Sequence, residues 1–175
     1  MIISLKRSKT IRVGKLGVGV FPEGIYVYTG SAMNGLGARL GRHASRKKKL
    51  RWHIDYLLAS PEARIEKILC YPPARGQECR QNQRIAARTG ASVVLRRFGA
   101  SDCEAGCDSH LLFFGPGAEL RRIICRTKKS VNLSYPRKRV SRIIREDPNL
   151  DSRVRENDES RGGQRRGSSL RFHVL

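Results

Sequence analysis

Gly24-Ile25-Tyr26-Val27-Tyr28-Thr29-Gly30 is the stretch on which the reading of this chain turns. It is dense in β-branched and aromatic residues and bounded by glycines, the composition of a central strand. Downstream, Leu36, Leu40 and Ala44 fall on one stripe, with Arg39, His43 and Arg46 beside it at helical spacing. That pattern predicts an amphipathic helix from Leu36 to about Arg46, edged with base and imidazole. Upstream, the apolar runs Met1 to Leu5 and Ile11 to Val13 flank the basic turn Lys6 to Lys9 and read as a hairpin, after which Gly14, Gly17 and Gly19 loosen the chain.

Further along, Trp52 to Leu58 reads as a short helix ending before Pro61, and Arg64 to Tyr71 as a strand stopped by Pro72-Pro73. Gln77 to Thr89, with Gly90 just beyond, has the form of a helix with a glycine exit. Val93 to Phe98 and His110 to Phe114 are two more strand candidates. After Gly115-Pro116-Gly117 a short helix or linker fits 116–126, and 127–175 has the polar, charged composition of a disordered basic tail. The expected fold is therefore α+β, a small antiparallel sheet of three main strands flanked by helices, in one domain over 1–115.

The 36 Lys and Arg against 15 Asp and Glu give a net charge of +21, more than solubility asks of a 175-residue chain. The first 126 residues alone hold 23 basic and 9 acidic side chains, so the folded part is itself net +14. A polyanionic partner follows, and nucleic acid fits best. No apolar run approaches the roughly 18 residues of a membrane span, and no signal peptide opens the chain. Five scattered cysteines, an odd number, argue against a disulfide framework and for a reducing, cytoplasmic setting.

Tyr28-Thr29-Gly30 on a strand, Arg39 on the next helix with His43 one turn on, and Glu78 on a later helix occur in an order similar to that of the GIY-YIG nuclease superfamily. Fuller matches extend over residues 1–115: Tyr26 to Ala32, Arg42-His43, Trp52 to Leu57, Glu78-Cys79, Phe98-Gly99, Ser101-Asp102-Cys103 and Ser109-His110-Leu111. Together they resemble a branch of domains sometimes attached to endonuclease III. The resemblance implies a sheet that gathers tyrosine, arginine and a metal-binding glutamate around a scissile phosphate. It also implies hydrolysis of DNA phosphodiester bonds in repair or processing, and an endonuclease III type glycosylase as a partner. The adjacent Gly24-Ile25-Tyr26 matches the superfamily's first motif in letters only. The strand expected to carry that motif, Met1 to Leu5, contains no Gly-x-Tyr, so the chain is expected to begin inside it.

Phosphodiester hydrolysis needs an activated water, neutralisation of transition-state charge and usually a hard divalent cation. Glu78 is the candidate ligand for Mg2+ or Mn2+, since such ions keep several waters and take further ligands from substrate phosphate. Arg39 offers a permanently charged fork matched to phosphate oxygens. Tyr28 could orient or activate the water if nearby cations lower its pKa, and His43 could share that role because imidazole titrates near neutrality. Ser31, Arg42, Arg46, Lys47, Lys48, Lys49 and His53 are the candidate substrate contacts, the lysine run being suited to tracking phosphates without reading sequence. Trp52 to Tyr56 could dock a nucleotide or knit helix to sheet. The same fold without cleavage would be a nucleic-acid-binding module. Cys103, Cys107 and His110, spaced C-x3-C-x2-H, are candidate zinc ligands that Cys79 or His53 could complete.

Overall fold

Strand alternation builds the sheet that positions everything else. In the computed structural model, which describes residues 1–32, 36–45, 47–71, 76–88, 90–118, 131–133 and 172–174, β1 (Ile2–Leu5) is the middle strand. It pairs antiparallel with β4 (Gly24–Tyr28) on one side and β6 (Ala63–Tyr71) on the other, and β7 (Leu111–Phe113) adds to the far side of β4. A separate ribbon joins β2 (Lys9–Arg12) to β3 (Val18–Phe21). The predicted hairpin between the first two apolar runs therefore does not form. Both edges of β1 are already hydrogen-bonded to β4 and β6, and β2 pairs with the glycine-containing segment expected to be loose.

Successive side chains of each strand face opposite layers. Ile3, Leu5, Tyr26 and Tyr28 join one core with Leu36 and Leu40 of α1 (Leu36–Ala44) and Ile54, Leu57 and Leu58 of α2 (His53–Ala59). Ile2, Val27 and Leu112 join a second, on the other face, with Ile85 of α3 (Gln77–Ala86). β6 serves both layers by changing phase. Its pairing skips from Ile3↔Ile65 to Ile2↔Lys67, a bulge at Glu66, so that Ile65 and then Ile68 and Cys70 face the first core. The architecture is α+β as expected, the antiparallel sheet having four core strands. β5 (Gly30–Ala32) continues the chain from β4 towards α1.

Val93 to Phe98 is not a strand. Ser92 makes a single bridge to Phe113, and the chain then turns, with Arg97 at φ 61°, while Val94 and Leu95 pack against the first core from a loop. Of the expected disordered tail, only β8 (Val131–Leu133) and β9 (Phe172–Val174) fall among the described residues, β8 paired with β6 and β9 with β5 and β6. The helix expected at 118–125 lies outside the described residues beyond Ala118. No described helix is long and apolar enough to cross a membrane.

Candidate active site and metal centre

At the Tyr28 end of β4, α1, α2, α3 and the loop 99–110 meet around an open cavity of about 540 Å3. Tyr26 and Tyr28 share a face of β4 but not a role. Tyr26 is fully buried, its hydroxyl donating to the Pro22 carbonyl at 2.6 Å, whereas Tyr28 reaches the cavity. Gly24, the glycine of the letter match, is held by the fold itself. Its φ of 144° and a Cβ position only 2.5 Å from the Gly115 backbone admit nothing larger.

Arg39 projects from α1 so that a guanidinium nitrogen lies 3.5 Å from the Tyr28 hydroxyl, with the guanidinium carbon 4.7 Å from the centre of the Trp52 ring. A Cβ on Gly30 would stand 2.7 Å from that same nitrogen, so the glycine makes the approach possible. Burial pushes the Tyr28 phenol up to about 12, outweighing the opposing pull of Arg39. The expectation that cations would lower it is not met, and the hydroxyl is a protonated hydrogen-bond donor at neutral pH.

Glu78, on the first turn of α3, lines the same cavity and is hydrogen-bonded by Ser31. Burial works to neutralise it, but His110, Ser31 and Arg39 together hold its carboxyl below the usual range and keep it ionised. His53 also lines the wall, its Nδ1 accepting the Gly99 amide at 2.9 Å. The fold thus brings Tyr28, Ser31, Arg39, His53 and Glu78 to one place.

His43 is not part of that wall. It lies edge-on to Tyr28 and tilted against Trp52, 1 % exposed, with neither ring nitrogen hydrogen-bonded. Burial first, then the Arg39 and Lys48 cations, depress its pKa to about 3. A base titrating near neutrality is not what this environment makes. Arg42 and Lys48 are drawn inward as well. Arg42 pairs with Asp55 at 2.5 Å and packs over Trp52, and Lys48 stands 3.6 Å from the other Asp55 oxygen while donating to the Arg42 and His43 carbonyls. Asp55 is fully buried, and burial alone would raise its pKa. The amides of Trp52 and Arg51, with Arg42 and Lys48, outweigh burial and leave it ionised. Lys47 and Lys49 remain exposed, Arg46 lies outside the described residues, and Arg51 and the partly exposed Trp52 join the rim.

Beside the cavity, Cys79 of α3 meets Cys103, Cys107 and His110 with all four ligand atoms within 4.8 Å of one another. Cys79 Sγ is 3.6 Å from Cys103 Sγ and 3.9 Å from His110 Nε2. Two thiolates bound at about 2.3 Å in a tetrahedral site stand about 3.8 Å apart, so the cluster is already the size of a metal site. Burial disfavours the Cys103 thiolate, yet the amides of Cys107 and Ala105 hold this thiol below its usual range. These four side chains could hold a metal ion. Of the two completions open from sequence, Cys79 is the one present, and His53 is engaged by Gly99.

Sequence spacing left the choice between Cys79 and His53 open, because Cys79 is 24 residues from Cys103 with no short motif to join them, and it concealed the role of Asp55, which gives no sign in the sequence that it collects Arg42 and Lys48. A family model described as "Domain of unknown function DUF123" matches residues 1–133, about three quarters of the chain. No curated protein matches the chain, and no solved structure does.

Proposed function

The chain belongs to the DUF123 family, and from the site it carries we propose that it is a metal-dependent endonuclease hydrolysing DNA phosphodiester bonds. The observation that supports this reading is the convergence of Tyr28, Ser31, Arg39 and Glu78 on one cavity in a chain of net charge +21. The order of those residues is similar to that of the GIY-YIG nucleases. A role in repair or processing, and an endonuclease III type partner, rest on that resemblance.

Arg39 would grip the scissile phosphate through two N–H groups, with a charge that does not titrate. Tyr28, protonated, would donate to a phosphate oxygen or orient the attacking water. The Glu78 carboxylate offers about four lone-pair directions, so bonds from His110 and Ser31 leave room for a cation. Mg2+ or Mn2+, when bound there, supplies neutralisation of charge developing on the phosphate. Lys47, Lys49 and Arg51 would hold the flanking backbone.

Zinc is the metal that three thiolates and one imidazole suit best, and four protein ligands make a closed, structural site. Zinc would pin the loop carrying Cys103 and Cys107 to α3. The non-catalytic alternative, a nucleic-acid-binding module, is favoured by the two oxygen groups nearest Arg39 in the cavity wall: burial pushes the Tyr28 phenol up to about 12 and the partners of Glu78 hold its carboxyl below the usual range, so neither is moved towards neutrality for base catalysis. Incubation with supercoiled, single-stranded and branched DNA plus Mg2+ or Mn2+ separates the two. Cleavage by the wild type, reduced at least 100-fold in Arg39→Ala and Glu78→Ala, is the expected result. No cleavage of any substrate, or cleavage unchanged in both variants, leaves only the binding module.

A further inference from the structure

Cavity and metal cluster share a wall. Glu78 and Cys79 are consecutive on the first turn of α3, the first lining the cavity and the second supplying a thiol to the cluster. Across from them His110 belongs to both. Its Nε2 is turned to the cluster, 3.9 Å from Cys79 Sγ, while its Nδ1 is 2.8 Å from Glu78 Oε1, the N–H direction bent from a straight hydrogen bond. The loop that brings Cys103 to the cluster also contributes Ser101, Asp102 and Glu104 to the cavity.

We infer that Glu78 is a positioning residue of the metal centre: its carboxylate takes the Nδ1–H of His110, fixes the tautomer whose Nε2 lone pair faces the metal, and so ties the pocket's shape to the centre's occupancy. The inference rests on the reading that the three-thiol, one-imidazole cluster binds zinc. A ligating imidazole has two nitrogens and can bind a metal through only one. The other carries a proton that must be donated somewhere, most often to a carboxylate or a carbonyl. Here, among the described residues, Glu78 is the acidic side chain placed against Nδ1, and Cys79 beside it on α3 is itself a ligand.

Two consequences follow. Filling the centre holds Glu78 against His110, so the carboxylate faces the cavity in one fixed orientation beside Arg39. Emptying it releases His110 and the 101–105 loop together, and the pocket loses one wall and the anchor of its carboxylate at once. Cleavage would therefore require both the divalent cation in the pocket and zinc in the centre.

The test uses the full chain loaded with Zn2+. Zinc transfer to a chromogenic chelator is followed for wild type, Glu78→Gln and Arg39→Ala, with circular dichroism to confirm that each variant is folded. Glu78→Gln is expected to weaken zinc retention about 10- to 100-fold. Arg39→Ala, which changes the same cavity but not the centre, is expected to retain zinc as wild type does. Nitrogen-15 NMR of zinc-loaded wild type should show His110 metallated at Nε2 and protonated at Nδ1, a result that does not depend on any variant folding. Wild type that binds no zinc overturns the metal-centre reading. Zinc bound with equal strength by wild type and Glu78→Gln, or through His110 Nδ1, overturns the coupling alone.

Discussion

Behind Tyr28, the His43 imidazole is enclosed so completely that it stays neutral in the folded chain far below its ordinary titration range. Its folded pKa, about 3, is depressed from 6.5. Between those values the unfolded chain binds a proton that the folded chain does not, so stability falls as pH falls through that window, by up to about 1.4 kcal/mol per pH unit from this group. Urea unfolding at pH 7 and pH 5 should show the loss, and His43→Leu should lose less over the same interval. An equal pH dependence in the variant would remove His43 as its source. Gly30 poses the complementary question of space. Gly30→Ala places a methyl 2.7 Å from the Arg39 guanidinium and must displace it. On the proposed nuclease reading, DNA cleavage should fall at least about 10-fold while the unfolding midpoint moves little, because Arg39 is long and can give way; undiminished cleavage would show that its observed position is not needed.

At the scale of elements, the junction between α1 and α2 depends on one carboxylate. Asp55 accepts the Arg51 and Trp52 amides at 3.0 Å each, starting α2, and takes Arg42 from α1 and Lys48 from the connecting segment. Asp55→Asn removes the buried carboxylate that both Arg42 and Lys48 face, and should destabilise the fold by about 3–5 kcal/mol in urea unfolding. A change below 1 kcal/mol would mean the cluster is screened by water. The helices themselves were legible because a stripe such as Leu36, Leu40, Ala44 states its period locally. The β1–β2 segment is deceptive for the opposite reason. A run of apolar residues announces a strand but not its partner, and β1 finds both of its partners 20 and 60 residues away.

Over the whole molecule, charge is the largest signal. Binding to nonspecific duplex DNA should weaken steeply with salt, and removing Lys47 and Lys49, both exposed, should lower the slope of log K against log salt by about 2. Arg42→Ala should instead act mainly on stability, since its guanidinium is committed to Asp55 and Trp52; a slope unchanged in the double lysine variant would place the DNA elsewhere. Residue types and local periods were enough to determine the α+β class, the strong positive charge and the helices, while the set Tyr28, Arg39, Glu78 was singled out by the resemblance of their order to the GIY-YIG nucleases. Which of the nearby basic groups stay free, whether Tyr28 and His43 can titrate, and which fourth ligand completes the cluster were decided only by tertiary structure. Each depends on burial and on partners distant in sequence: Asp55 takes Arg42 and Lys48 out of the solvent-facing set, desolvation moves Tyr28 and His43 away from neutrality, and α3 carries Cys79 across to Cys103, Cys107 and His110.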